Sequence, residues 1–417
     1  MTTATIDLSA ARNPAETETA SVTPKRPLGG GALFALALLS AVAPFGTDLY
    51  LAAFPAMTSD LATTATGVQL SLTAFLVGAG VGQVIFGPWS DRIGRLVPLF
   101  TGLTLFLVAS VVAVAAGSVE ILVIARLVQG IGGAAGMVLG RAIIIDREGG
   151  STAARALTIM MMIGGVAPVV APLAGSLLAD AIGWRGLLAG VGALGIVALA
   201  ATLLFVRESL PRDVRIARAR SRRPGGWRAL LARGYVGNVL AFGFAMAIMM
   251  SYISASPFVY QEMIGLSTVG YGIAFAVNAI GIVVVSGISA RLTRRVSVRR
   301  LAASGLAISG FAVTLILLAT LFHAPANWLI VPLFLAIAPL GLTFGNATTL
   351  ALSAVPHTAT GSASAFLGLL QFVLAGAVAA RVGIGGERTA LPLAITMFVA
   401  AVIALGGLAF GRDRTEG

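Results

Sequence analysis

The chain has 417 residues, 58% of them hydrophobic and only 11% charged, whereas a soluble globular domain carries about a quarter charged residues. Too few charges remain to cover soluble surfaces, and the apolar residues fall in long blocks instead of at a period of 2 or 3.6, so the composition is that of a polytopic, all-α membrane protein. The lack of cysteine excludes thiol catalysis, disulfides and cysteine-ligated metal sites, and the net charge of +12, carried by 27 arginines and Lys25, leaves nucleic acid or membrane as the basic partner.

Residues 1–30 are rich in Thr, Ala and Pro, the composition of a disordered tail, and lack the apolar core of a cleavable signal. From there, apolar stretches of about 20 residues, each enough to cross ~30 Å of hydrocarbon, alternate with short polar breaks. Twelve spans are expected: 32–55, 68–88, 97–116, 120–145, 155–179, 186–206, 235–258, 269–290, 300–322, 328–350, 361–382 and 390–410. An even number puts both termini on one side. The tails and loops on that side hold 23 of the 28 basic residues, while the opposite loops hold two, Arg185 and Arg388. Because cytoplasmic loops are enriched in Lys and Arg, both termini are expected in the cytoplasm, and the basic balance is assigned to topology and anionic lipid, with no role for nucleic acid.

The longest break, 207–233, carries nine arginines, two prolines and Trp227 and reads as a basic cytoplasmic linker. It separates a six-span half at 31–206 from a second at 234–411, followed by a short tail at 412–417. Gly87, Asp91 and Arg95 after span two recur 200 positions later as Gly287, Arg291 and Arg295. Two pseudo-symmetric six-helix halves are the architecture of many secondary transporters, for which a monomer suffices.

After span two comes Gly87-Pro88-Trp89-Ser90-Asp91-Arg92-Ile93-Gly94-Arg95, which resembles the G-x-x-x-D-R-x-G-R loop signature of the major facilitator superfamily. Four other stretches resemble the twelve-span drug:proton antiporters of the Bcr/CflA type. They are Ala43-Pro44-Phe45-Gly46-Thr47-Asp48-Leu49-Tyr50 in span one, Arg126-Leu127-Val128-Gln129-Gly130 in span four, Ser256-Pro257-Phe258-Val259-Tyr260 ending span seven, and Gly361-Ser362-Ala363-Ser364-Ala365 opening span eleven. The antiporter motif of span five, G-P-x-x-G-G, is matched only in part by Ala171-Pro172-Leu173-Ala174-Gly175-Ser176, with Pro168 added. The resemblance implies a proton-coupled exporter of small amphipathic, phenicol-like or bicyclic antibiotics, embedded in the bacterial inner membrane and powered by the proton gradient without a cofactor. It also implies a cytoplasmic latch, in which Asp91 faces the start of span eleven near Gly361 and Arg95 pairs with Asp146, with Gly87, Arg92 and Gly94 shaping the loop.

The resemblance implicates Asp48 and Arg126 in proton coupling, and elimination points to Asp48 as well. Both histidines, His323 and His357, fall in loops, and of sixteen carboxylates Asp48 alone sits well inside a span; Glu262, at the end of span seven, is next. A charge in the bilayer interior costs at least ~2.5–3.5 kcal/mol and marks function by default, with a permanent brace to an arginine as the alternative. Asp48 and Arg126 both lie ~10 Å below the outer surface by helix rise, so a pair between them is expected, with Tyr50, Gln129, Tyr252 and Asn278 as further cavity residues. A polytopic enzyme would need paired carboxylates or nucleophiles that the spans lack. A proton symporter importing a metabolite is the alternative within transport. Tags at residues 5, 225 and 415 should be accessible from the cytoplasm alone; surface labelling of any of them in intact cells rejects this topology.

Overall fold

A computed structural model describes residues 28–148, 150–213, 215–216, 230–356, 359–383 and 389–412. Most of the expected disordered tail, the linker stretch 217–229 with Trp227, His357, the loop 384–388 with Arg388 and the last five residues lie outside the described residues.

Among the described residues ten helices are long and apolar enough to cross a bilayer, and Phe366–Val382 is a shorter apolar stretch. One of the ten, Arg155–Phe205, is 51 residues long, ~77 Å at 1.5 Å per residue and more than twice the hydrocarbon thickness. The chain turns back within it at Gly183, whose φ of 65° and ψ of 177° break the helix. It therefore makes two crossings, spans five and six, and the architecture is the twelve-helix one expected.

Local chemistry explains where helices start, stop and bend. Span one is the helix Gly30–Asp48 followed by a 3-10 turn, Leu51–Ala53, and a short helix, Phe54–Asp60, instead of one helix over 32–55. Pro55, in the first turn of that short helix, cannot donate to a preceding turn. Span two, Ala65–Ile93, starts at Thr64, whose hydroxyl accepts from the Gly67 N–H at 3.2 Å, and ends at Gly94 with φ 107°. Spans three and four are Leu96–Val114 and Val119–Arg147. Span seven, Arg233–Phe258, loosens into a π turn at Val259–Met263, just past Pro257, whose missing N–H unsettles the ladder. Spans eight and nine are Thr268–Leu292 and Val298–Leu321. Span ten, expected as one helix over 328–350, comes in pieces, Ala326–Leu329, Ile330–Ile337 and Leu340–Ser353, interrupted at Pro339. Thr360–Gly383 and Leu391–Phe410 complete the set.

Within the N-terminal half, span two packs on span four and span one on span five. The contacts are backbone to backbone: a Cβ on Gly78 would lie 2.1 Å from the Leu127 carbonyl oxygen, and one on Gly175 only 1.8 Å from that of Leu49. Between lipid tails no hydrophobic force drives helices together, so such close approach supplies the van der Waals contact that does. Across the halves span two meets span eleven and span five meets span eight, the exchange expected of a pseudo-two-fold. Outward faces carry Val111, Leu204 and Phe311, each at least 65% exposed, which would be an aggregating patch in water and is a lipid-facing surface in a bilayer.

The Gly175→Val variant should lose about 1–3 kcal/mol by overpacking span five against span one, whereas Gly345→Ala, with nothing within 4 Å of its Cβ position, should not. Thermal unfolding in detergent checks both.

Candidate functional site: a cavity between the halves

A cavity of about 420 Å³ lies between the halves, walled by phenylalanines and methionines from both, including Phe75, Met137, Met246, Phe275 and Phe372. Asp48 lines it and is the only charged residue that does among the described residues. Being the last residue of its helix, Asp48 owes its position to the break that follows. It is 4% exposed, and no ion pair of its carboxylate is found among the described residues. Beside it, the Thr47 hydroxyl donates to the Pro44 carbonyl at 2.9 Å. Pro168 of span five also lines the cavity, whereas Pro172 packs against span eight and Gly175 against the end of span one.

The expected Asp48–Arg126 pair is not formed. Arg126 is fully buried behind the cavity wall, where it donates to the Gly46 carbonyl oxygen and to Gln129 Oε1. Its guanidinium carbon lies 4.5 Å from the Tyr50 ring centre and 4.4 Å from that of Phe75. Gln129 passes the network on, donating to Ser110 Oγ at 2.7 Å, and the Tyr50 hydroxyl meets Ser71 Oγ at 3.0 Å. The depths match but the directions do not: Gly46 and Asp48 are two positions apart, ~200° round the helix, so one faces span four and the other the cavity. An unpaired buried ion costs several kcal/mol. Two charge-assisted hydrogen bonds of about 1.5–3 kcal/mol each and two ring faces of up to about 2 kcal/mol each offset it without a carboxylate.

From the C-terminal half, Tyr252 and Asn278 line the cavity. Asn278 donates to the Ala274 carbonyl at 2.8 Å and to the Tyr260 hydroxyl oxygen at 3.4 Å. Tyr252, Tyr260, Tyr271 and Phe275 form a cluster with ring centres 5.5–6.3 Å apart. The Tyr252 and Tyr271 hydroxyls and Asn278 Oδ1 are buried with no hydrogen-bond partner among the described residues. Tyr271 was not anticipated, and Tyr260 only as the end of the span-seven motif; that three of only five tyrosines fall within twenty residues was the available signal for the cluster. Glu262 is exposed and does not line the cavity.

The halves are joined at the end remote from the termini. Gln69 donates to the Ser254 carbonyl at 2.9 Å, Gln261 to that of Ala52 at 3.0 Å, and Thr268 to Asp180 at 3.3 Å. Each of these side-chain hydrogen bonds runs from one half to the other. Nearby, Asp60 accepts from Trp184 Nε1 at 2.8 Å and pairs with Arg185.

At the other end, Arg95 is the centre of a buried hub. Its Nε lies 2.8 Å from Asp146, and one terminal nitrogen lies 2.8 Å from Asp91 and 2.6 Å from Ser90 Oγ. Burial opposes this charge, but Asp146 and Asp91 outweigh it and hold the guanidinium pKa above its ordinary value. Gly94 gives the positive φ that turns the chain into span three, Arg92 is exposed, and Gly87 leaves room against Val138. Gly361 stands in the first turn of span eleven; its approach to Asp91 lies outside the described contacts. In the second copy of the pattern Arg291 and Arg295 are exposed, because a carboxylate is missing at the position of Asp91.

Glu208, at the start of the linker, was not anticipated. Its carboxylate accepts from the Arg95 and Leu96 N–H groups at 3.0 and 3.1 Å and from its own Ser209 and Leu210 at 3.0 and 2.9 Å. It thus caps span three and pins the linker, where Leu210 is buried instead of solvated. A Glu just past the end of span six was the signal.

A family model described as Major Facilitator Superfamily matches residues 36–380. The uncharacterized MFS-type transporter YdgK of Bacillus subtilis is 35% identical over 380 residues, covering 90% of this chain and 94% of its own length. A bicyclomycin resistance protein homolog of Haemophilus influenzae is 25% identical, covering 89% and 94%. A chloramphenicol resistance protein of Pseudomonas aeruginosa is 29% identical, covering 88% and 87%. Among solved structures, a D-xylose-proton symporter superposes with a TM-score of 0.72 over 92% of this chain and 97% of its own at 15% identity, a likeness of fold alone.

Partial burial works to raise the pKa of Glu208, but the four backbone N–H donors prevail and hold it below the ordinary glutamate value of 4.5. Its contribution to stability is therefore present above that value and lost as pH falls through the lowered one. Glu208→Gln should melt lower than wild type at pH 7, with the gap closing below about pH 4; thermal scans against pH read it.

Proposed function

This chain belongs to the Major Facilitator Superfamily, and we propose that within it the protein is a proton-coupled exporter of small amphipathic, drug-like compounds. It acts across the bacterial inner membrane by alternating access, as a monomer with both termini in the cytoplasm. The observation that carries the reading is the carboxylate of Asp48 on the wall of an apolar cavity that no basic side chain among the described residues lines. Leaving that carboxylate charged and unpaired costs at least ~2.5–3.5 kcal/mol at such depth. A proton removes the cost, and so does a polar or cationic group on a bound substrate; the two compete for one site, which couples outward movement of one to inward movement of the other.

The cavity falls in the 300–1,000 Å³ range that drug-sized ligands fill. Its aromatic and methionine walls suit varied apolar bodies, while Tyr252 and Asn278 offer hydrogen bonds from the facing half. Relatives whose names refer to bicyclomycin and chloramphenicol resistance support a compound of that kind. Arg126 acts as a brace: by holding the Gly46 carbonyl it sets the turn of span one that carries Asp48 to the cavity. With the termini in the cytoplasm, the joined end is the outer one. Opening outward requires the Gln69, Gln261 and Thr268 bonds to break, and the Arg95 hub then keeps the cytoplasmic side of the N-terminal half rigid enough to close.

In everted vesicles with an imposed pH gradient, Asp48→Asn should keep normal expression and melting but lose efflux by more than about tenfold, the factor that 1.4 kcal/mol gives. Full proton-driven efflux in that variant rejects Asp48 as the carrier. Arg126→Lys keeps the charge but not the flat fork that sits between two rings, and transport should fall as well; wild-type transport there would reduce Arg126 to a diffuse positive charge.

A further inference from the structure

We propose that a pocket at the termini-bearing end of the N-terminal half binds the phosphate headgroup of an anionic phospholipid through Arg147 and Arg207, and that this occupancy steadies the Arg95 hub. The pocket has a volume of about 340 Å³ and lies where the start of span one meets the ends of spans four and six, room for about ten water-sized groups. Arg147 and Arg207 line it, with Leu28, Ala32, Ile143 and Phe205 as apolar wall. Neither guanidinium has an ion-pair or hydrogen-bond partner among the described residues. Glu148, next in sequence to Arg147, accepts from the Leu28 N–H.

Chemistry and position select a lipid over a free anion. Two unpaired arginines at the edge of the membrane spans ask for phosphate, and basic pockets between helices at this level are where anionic headgroups bind. The wall between them continues into Phe205 and Leu204, 50% and 75% exposed, along which an acyl chain would run. A free phosphate would leave that surface uncovered. The second half of the proposal follows from sequence adjacency. Arg147 follows Asp146, which pairs with Arg95, and Arg207 precedes Glu208, which caps Arg95 and Leu96. One headgroup held by both arginines therefore ties together the two acids that fix the start of span three.

The test uses the full chain in nonionic detergent, titrated with phosphatidylglycerol and read by native mass spectrometry and thermal midpoint. Wild type should bind the lipid saturably, with phosphatidylcholine and inorganic phosphate unable to replace it. Arg147→Gln with Arg207→Gln should melt as wild type without lipid but lose roughly thirtyfold in affinity, about fivefold per arginine. Arg291→Gln with Arg294→Gln, exposed on the same side of the other half, should bind normally. Lipid should slow amide exchange at Arg95 and Leu96 in wild type and not in the Arg147/Arg207 pair. Unchanged binding by that pair, an equal loss in the Arg291/Arg294 pair, or occupation by inorganic phosphate alone would overturn the site; binding without slowed exchange would overturn the coupling to the hub. If the glutamine pair fails to fold, Arg147→Lys with Arg207→Lys against single Arg207→Gln makes the same comparison, the lysine pair being expected to retain binding.

Discussion

Hydrocarbon offers no hydrogen bonds, and from that constraint the arrangement of every polar group in this protein follows. Each polar side chain in a span must find its partner inside the bundle or face the one space where water and solutes enter. The glycines at which spans two and four, and spans one and five, meet backbone to backbone make the interior dry. What remains is a single carboxylate on a cavity wall and a single guanidinium behind it, held in different ways.

The contrast between Asp48 and Arg126 is the physical core of the site. Arg126 is held where it stands by a carbonyl, an amide and two aromatic faces, with only its Nε left without a partner among the described residues. Asp48 has no ion-pair partner among the described residues and faces the cavity. On the proposed reading, the group without an ion partner responds to proton and substrate, and the group held in place serves as scaffold. The two residues act in sequence, since the scaffold fixes the turn of helix that exposes the carboxylate.

The two ends of the bundle are built differently. Remote from the termini, neutral hydrogen bonds from Gln69, Gln261 and Thr268 join one half to the other, each worth about 0.5–1.5 kcal/mol, small enough to break during transport. At the other end, the Arg95 hub and the Glu208 cap lie within one half and tie spans two, three and four to the linker. A seam that opens carries weak bonds, and a unit that moves as a body carries strong ones.

From the sequence alone follow the membrane class, the twelve crossings, the halves, and Asp48 as the carboxylate of interest, because apolar run length and the cost of a buried charge are local properties. The Gly94 turn and the Arg95–Asp146 pairing could be read through the resemblance of a short motif. The partner of Arg126 could not, since helix rise gives depth while the facing of each side chain depends on how helices pack. The same holds for the break of span ten at Pro339, the tyrosine cluster around Asn278, and Glu208, which reaches over 112 residues to the start of span three. Such contacts are set by which surfaces meet, and only the tertiary structure decides that.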